Sequence, residues 1–248
     1  MFKLGELNLV ESKETLLKIP DRKVLINTIN AHSFNVAQKD ELFAEALSNG
    51  DYLIPDGVSI IKACKILNGK SQPKERIAGW DLFVFEMQRL EERSQKRTEN
   101  AGRSKVMFMG SSEKVLDLIR KKAAKEYPSI DIVTYSPPYK EKFSDEDNAA
   151  IIKAINEANP DLLWIGMTAP KQEKWAYSHW KDLDIHCHVG TIGAVFDFYA
   201  GTAQRAPKWW QEHSLEWLYR LIKEPKRMWR RYIIGNPLFL WNIAKEKA

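Results

Sequence analysis

The sequence predicts an α/β fold in which a mainly parallel sheet is covered by helices on both sides. Three features carry that prediction. Short apolar runs alternate with helical periodicity for most of the chain, each run is apolar on both faces, and the intervening helical stretches are about 10 to 15 residues long. A chain of 248 residues, 44% apolar and 29% charged, has material for one large domain or two small ones with a real core, which excludes disorder and fibrous architecture.

The first strand is Val24–Ile29 (VLINTI). Phe34, Leu42, Phe43, Ala46 and Leu47 then mark one helical face that Gly50 ends, and residues 52–54 form a strand running into the turn Pro55-Asp56-Gly57. A second helix follows through Ile60, Ile61 and Leu67, and a third covers residues 80–97. Residues 99–104 (ENAGRS) are the most linker-like stretch, too short for a domain boundary. The rhythm then repeats with strand 106–109, helix 113–127, strand Ile130–Tyr135, helix 147–159, strand Leu162–Gly166, a helix after Pro170, and strand 185–190. Sheets of this class bind ligands at the carboxyl ends of their strands.

Beyond Gly201 the character changes, so the expected organisation is an α/β domain over residues 1–202 and a helical appendage over 203–248. The formal net charge is +5, yet residues 203–248 hold ten Lys/Arg against four Asp/Glu, leaving 28 basic against 29 acidic residues elsewhere. The same tail holds Trp209, Trp210, Trp217, Trp229 and Trp241. A cationic, tryptophan-rich end on a near-neutral body asks for an anionic partner. Residues 214–223 read as an amphipathic helix and Pro225 opens the next one. In that next helix Arg227, Arg230 and Arg231 are expected on one face, with Met228, Trp229, Tyr232 and Ile233 on the other.

Cys64 and Cys187 form no disulfide framework and have no zinc or CxxC spacing, which suits a reducing compartment. The start of the chain has no apolar run of a secretory signal, and no segment approaches the ~18 apolar residues that spanning a bilayer requires. Contact with a membrane is therefore expected from the side.

There is no GxGxxG, GxxxxGK[ST] or GxSxG motif. Two DxD spellings, Asp145 to Asp147 and Asp182 to Asp184, read as a helix cap and a polar loop rather than metal ligands. Asp56 is different, because its Pro-Asp-Gly turn ends a strand where such sheets place ligands; it reads equally as a general base and as an Asx-turn. Thr28 and Asn30 project to one side at the end of the first strand, as ligand contacts or as a strand-to-helix cap. Gly166, and Gln172 in the segment GMTAPKQEKW, lie just past another strand at a helix opening suited to phosphate. Arg76 reads as a partner for a phosphate or as an ordinary solvated arginine. His179, His186 and His188 lack metal spacing and read as packing residues.

The segments INTINAHSFNVAQ, YLIPDGVSII, ERIAGWDLF, IGMTAPKQEKW, VGTIGAVFDFYAGTAQRAPKWW and LEWLYRLIKEPKRMWRRY together resemble the successive motifs of the WecG/TagA/CpsF glycosyltransferase family, in order and over most of the chain. The resemblance implies a Rossmann-like α/β enzyme with a C-terminal appendage that docks on the membrane and completes the active site. It implies transfer of a sugar (N-acetylmannosamine, its uronic acid or glucose) from a UDP-sugar to a polyprenyl-diphosphate-linked saccharide, in teichoic acid, common antigen or exopolysaccharide synthesis. The protein would be cytoplasmic and peripheral on the inner face of an anionic membrane, and self-association is left open. By motif position, Thr28, Asn30 and Asp56 fall in the catalytic pocket with Asp56 as base. Gln172 and Arg76 match pocket residues, and Arg220, Arg227 and one of Arg230 and Arg231 match arginines that steady a diphosphate. Where relatives write G-x-G, this chain has Gly166-Met167-Thr168, with a Cβ where none is usual.

Residues and resemblance together imply an inverting displacement without a metal or other cofactor. Asp56 takes the proton of an acceptor hydroxyl, and arginines stabilise the departing diphosphate. Two rivals predict different features. A nucleic-acid-binding protein would spread basic residues along the sheet, whereas residues 1–202 are near neutral. A non-catalytic sugar-nucleotide-binding subunit would have a broken polar set, whereas Thr28, Asn30, Asp56 and Gln172 are all present.

Overall fold

The computed structural model describes residues 1–97 and 102–248. Residues 99–101 of the linker-like stretch lie outside the described residues, and Ser104 already opens a strand. In chain order the elements are α1 (Lys13–Leu16), β1 (Val24–Ile29), α2 (Ala31–Ala37), α3 (Glu41–Asn49), β2 (Tyr52–Pro55), α4 (Val58–Leu67) and α5 (Gly79–Gln95). They continue with β3 (Ser104–Gly110), α6 (Glu113–Glu126), β4 (Ile130–Tyr135), α7 (Asp145–Ala158), β5 (Leu162–Gly166), α8 (Lys171–Ser178), β6 (His188–Thr191) and α9 (Val195–Ala200). The tail is helical: α10 (Lys208–Glu212), α11 (Glu216–Lys223), α12 (Pro225–Trp229), a π-helical turn Arg230–Ile234, and α13 (Gly235–Lys247).

The strands form one six-stranded sheet in the order β2-β1-β6-β5-β3-β4, and every pair with a described register is parallel. The expected α/β class is therefore the observed one. Two elements differ from expectation. The single helical face through Phe34 and Leu47 is two helices, because Asp40 accepts the Phe43 N–H at 3.0 Å and starts α3 afresh. The last strand begins at His188 rather than 185, although Ile185 and Cys187 before it are buried.

The chain divides into two compact units. The first comprises residues 1–18, 28–78 and 204–248, and the second residues 19–27 and 79–203. The core of the first joins Leu4, Phe34, Phe43, Leu53 and Ile60 to Phe239 and Ile243 of α13. Glu246 near the end of α13 accepts the Leu4 and Gly5 N–H groups at 3.0 and 2.7 Å, and Asn35 Nδ2 donates to the Gly235 carbonyl at 2.7 Å. The tail is thus knitted by packing and hydrogen bonds into the segments around β2.

The core of the second unit gathers Met107, Leu163, Ile165, Val189 and Trp175. Trp164 is fully buried, and it fits because Gly190 has no side chain: a Cβ there would meet the indole at 2.3 Å. At the base of β6, His188 pairs with Glu86 at 3.1 Å and Arg89 pairs with Glu86 at 3.2 Å. Burying the Glu86 carboxylate is sustainable because it has partners in both side chains.

Candidate active site

Three chain segments are stitched together at the carboxyl ends of β1 and β2. The Asp56 N–H donates to the Ile29 carbonyl at 2.8 Å, and the Ile77 N–H donates to the Pro55 carbonyl at 3.1 Å. Asp56 is thereby fixed beside Asn30, and Arg76 is fixed one residue from the strand that carries Asp56. Gly57 makes the turn possible, since its φ of +142° is one that L side chains rarely adopt.

Asn30 realises the cap reading. Its Oδ1 accepts the His32 and Ser33 N–H groups at 3.0 and 3.1 Å, while Ser33 Oγ accepts the Asn30 N–H at 2.7 Å, a complete capping box for α2. That leaves the Nδ2 end of the amide for a ligand. Thr28 and Asn30 are half-buried while Asn27 and Ile29 are buried, the alternation expected of one strand.

Arg231 comes to this pocket from the tail, and the expected arrangement of its neighbours is corrected. Arg227, Arg230 and Arg231 do not share a face, because the π turn rewinds the helix at Arg230–Ile234. Arg227 is exposed and pairs with Glu224 at 2.7 Å, and Arg230 is exposed over the Trp229 ring at 5.3 Å. Arg231 alone turns inward, with its Nε buried and without a hydrogen-bond partner. The apolar face is rearranged as well: Met228 is buried, but Trp229 and Ile233 are exposed.

The electrostatics name what surrounds Arg231. Burial lowers its affinity for a proton, the charges of Arg220 and Arg227 add to that, and Tyr232 and the Asp56 carboxylate oppose it. His32, unremarked in the sequence, is pushed down to about 4, first by burial and then by the Arg231 charge. It is a neutral imidazole at physiological pH. Arg76 is not the solvated arginine of the plain expectation, since it pairs with Glu216 of α11, and Arg205 reaches the same carboxylate at 3.5 Å.

Gln172 and Gly166 belong to the second unit. Gln172 is buried, and its Oε1 accepts the N–H groups of Met167 and Gly193, each at 3.1 Å. Its Nε2 donates to Glu173 Oε1 at 2.8 Å. The amide therefore bridges the loops that follow β5 and β6, with one N–H left over. Glu173 is wholly buried with an unpartnered Oε2, and burial pushes its carboxyl up to about 7 against the pull of the Gln172 hydrogen bond. The identity of Gly166 is accounted for by packing, because a Cβ there would meet the Phe196 ring at 2.4 Å.

Among the remaining residues of interest, Asp147 completes a capping box with Ser144 and pairs with Lys140 at 2.7 Å. Asp182 pairs with His179 at 3.2 Å, and the Asp184 N–H donates to Asn156 Oδ1 at 2.9 Å. His186 is exposed.

Comparison with known proteins supplies an independent line. A family model described as Glycosyl transferase WecG/TagA/CpsF family matches residues 3–248. The N-acetylglucosaminyldiphosphoundecaprenol N-acetyl-beta-D-mannosaminyltransferase of Bacillus subtilis (strain 168) is 30% identical over 229 residues, 92% of this chain and 82% of that protein. Proteins of the same description from Bacillus spizizenii and Staphylococcus aureus (strain MW2) are each 26% identical, over 96% and 90% of this chain and 85% and 81% of their own. A match of that extent, on a parallel α/β sheet whose strand ends carry Asn30 and Asp56, leaves one conclusion: the chain belongs to the WecG/TagA/CpsF family of glycosyltransferases.

Proposed function

We propose that this glycosyltransferase moves N-acetylmannosamine from UDP to a polyprenyl-diphosphate-linked N-acetylglucosamine, with inversion at the anomeric carbon. The activity for which its relatives are named supports the choice of sugar and acceptor. Asp56 acts as the base: its carboxylate takes the proton of the acceptor hydroxyl as that oxygen attacks the anomeric carbon on the face opposite UDP. The observation that carries this reading is the Asp56-to-Ile29 hydrogen bond, which supports a carboxylate held at the joint carboxyl end of two parallel strands.

As the bond to UDP breaks, negative charge grows on the diphosphate. Arg231, with Arg220, Arg227 and Arg230 in the same tail, supplies the opposing charge, and a guanidinium whose protein hydrogen bonds are incomplete is well suited to gain one as charge develops. Thr28 and the Nδ2 end of Asn30 orient the sugar. This arrangement needs no metal or cofactor. Among the described residues no helix is long and apolar enough to cross a membrane. Docking from the cytoplasmic side uses Trp209, Trp217, Trp229 and Trp241, which are exposed among tail lysines and arginines and suit an anionic headgroup layer.

The deciding experiment measures UDP release from UDP-N-acetylmannosamine with a synthetic N-acetylglucosaminyl-diphospho-lipid acceptor. Wild type turns over, and Asp56→Asn retains its fold by circular dichroism while losing about 10²- to 10⁴-fold in rate. An Asp56→Asn protein with the wild-type rate removes the base assignment.

A further inference from the structure

Glu216 holds two arginines at once. Its Oε2 accepts from Arg76 Nη1, and its Oε1 lies 3.5 Å from Arg205 Nε. The three side chains are only 20% (Arg76), 21% (Arg205) and 23% (Glu216) exposed. Arg76 is held in place by the Ile77-to-Pro55 hydrogen bond directly before Asp56. Arg205 is followed by buried Ala206, whose carbonyl accepts from Gln211 Nε2 at 2.6 Å. One oxygen of an anion on each of two guanidiniums is the arrangement by which arginine pairs recognise phosphate.

We propose that Arg76 and Arg205 form a clamp for one phosphate of a diphosphate, and that Glu216 is a tethered carboxylate that fills the clamp until the phosphate displaces it. The choice of ligand rests on the transferase reading, whereas the clamp itself rests on the three side chains. Two diphosphates meet in that reading, one on the nucleotide and one on the lipid, and either offers the chemistry the clamp would take. Glu216 sets a threshold: an anion gains the two arginines only by outcompeting a carboxylate already there, so the apparent affinity is lowered by the fraction of time the clamp is occupied.

The test is calorimetric titration of the full chain with inorganic pyrophosphate. Glu216→Gln keeps the side-chain shape and removes the charge, and it is expected to bind about tenfold more tightly than wild type. Adding Arg205→Gln to that variant returns the affinity to the wild-type level or below. Glu216→Gln binding no more tightly than wild type overturns the proposal. If that variant does not fold, Glu216→Asp withdraws the carboxylate by one methylene and also binds more tightly; equal or weaker binding overturns the proposal in the same way. Repeating the titration with UDP and with farnesyl diphosphate identifies the source. A gain confined to UDP places the nucleotide in the clamp, a gain confined to farnesyl diphosphate places the lipid there, and a gain with neither overturns it. Sugar transfer by the wild-type chain is assayed separately, so a tighter Glu216→Gln protein beside a wild type that turns over no UDP-sugar leaves the clamp standing and removes the transferase reading alone.

Discussion

The buried tryptophans lie in one unit and the exposed ones in the other. In the second unit Trp164 is fully buried and Trp175 is 6% exposed, while in the first Trp209, Trp217, Trp229 and Trp241 are 55, 38, 41 and 66% exposed. The arginines divide in the same way. Arg89, Arg93, Arg97, Arg103 and Arg120 of the second unit pair with Glu86, Asp21, Asp161, Asp131 and Asp117 of that same unit. In the first unit Arg76 and Arg205 converge on a single carboxylate, and the charges of Arg220 and Arg227 work against that of Arg231. One residue type thus serves two ends: a charge matched by its own carboxylate or a buried ring contributes to the fold, while a charge that shares a carboxylate or an exposed ring is available to something outside it.

The largest expected effect tests the tryptophans. Trp164→Ala should destabilise the chain by about 3–5 kcal/mol, read as a lowered denaturant midpoint. Trp229→Ser with Trp241→Ser should leave that midpoint within about 0.5 kcal/mol per site and instead reduce co-sedimentation with anionic vesicles. Equal vesicle binding by the double variant would break the distinction. Point substitutions are the right tool here, because removing the tail would strip Phe239 and Ile243 from the core they share with Phe34.

The arginines give the next effect. Arg231→Ala should cost about 10²-fold in transfer, whereas Arg230→Ala costs less than about threefold. Loss of Arg231 also has a readout apart from catalysis: the His32 titration, followed by NMR, should move up from about 4 toward its ordinary value. An unmoved His32 would mean that the two groups do not sense each other.

The smallest effect concerns Glu173, which is buried where the second unit otherwise partners its charges. Its carboxyl is raised from 4.5 to about 7, so the folded state holds the proton more tightly than the unfolded chain. The associated stability is fully present below pH 4.5 and is lost as pH rises through 7. Glu173→Gln removes that dependence, so its melting temperature should match wild type near pH 4.5 and exceed it by about 3–6 °C at pH 8.5. Parallel melting curves for the two proteins across that range would show that Glu173 titrates normally.

Much of the fold was legible because its signals are local. Leu162–Gly166 is an uninterrupted apolar run and Val24–Ile29 is interrupted only by Asn27 and Thr28, and both strands occupy those residues. The polar cap at Asp40 escaped a reading based on apolar spacing, which ran Phe34 together with the face of Leu42, Phe43, Ala46 and Leu47 and gave no weight to a polar residue between them. Asp56 and Asn30 were legible as strand-end residues and Arg76 by its motif, and the pairing of segments around them followed from topology. Glu216, Arg205 and Glu173 were not legible, because a carboxylate owes its significance to which guanidinium or amide it meets after the chain has folded. The inward turn of Arg231 was hidden for another reason: a helical wheel assumes one winding throughout, and Arg230–Ile234 has another.

That wider turn makes segment length a determinant of chemistry. A π turn carries one residue more than the α-helical turn it replaces. Removing a single residue between Arg231 and Gly235 would let the helix close to ordinary winding, and α13 could hold its seat on Phe34 only if the residues before the deletion rotated instead. A deletion that is silent in most surface helices would here swing Arg231 away from His32 and Asp56. Within the tail, this turn is where insertions and deletions should be least tolerated.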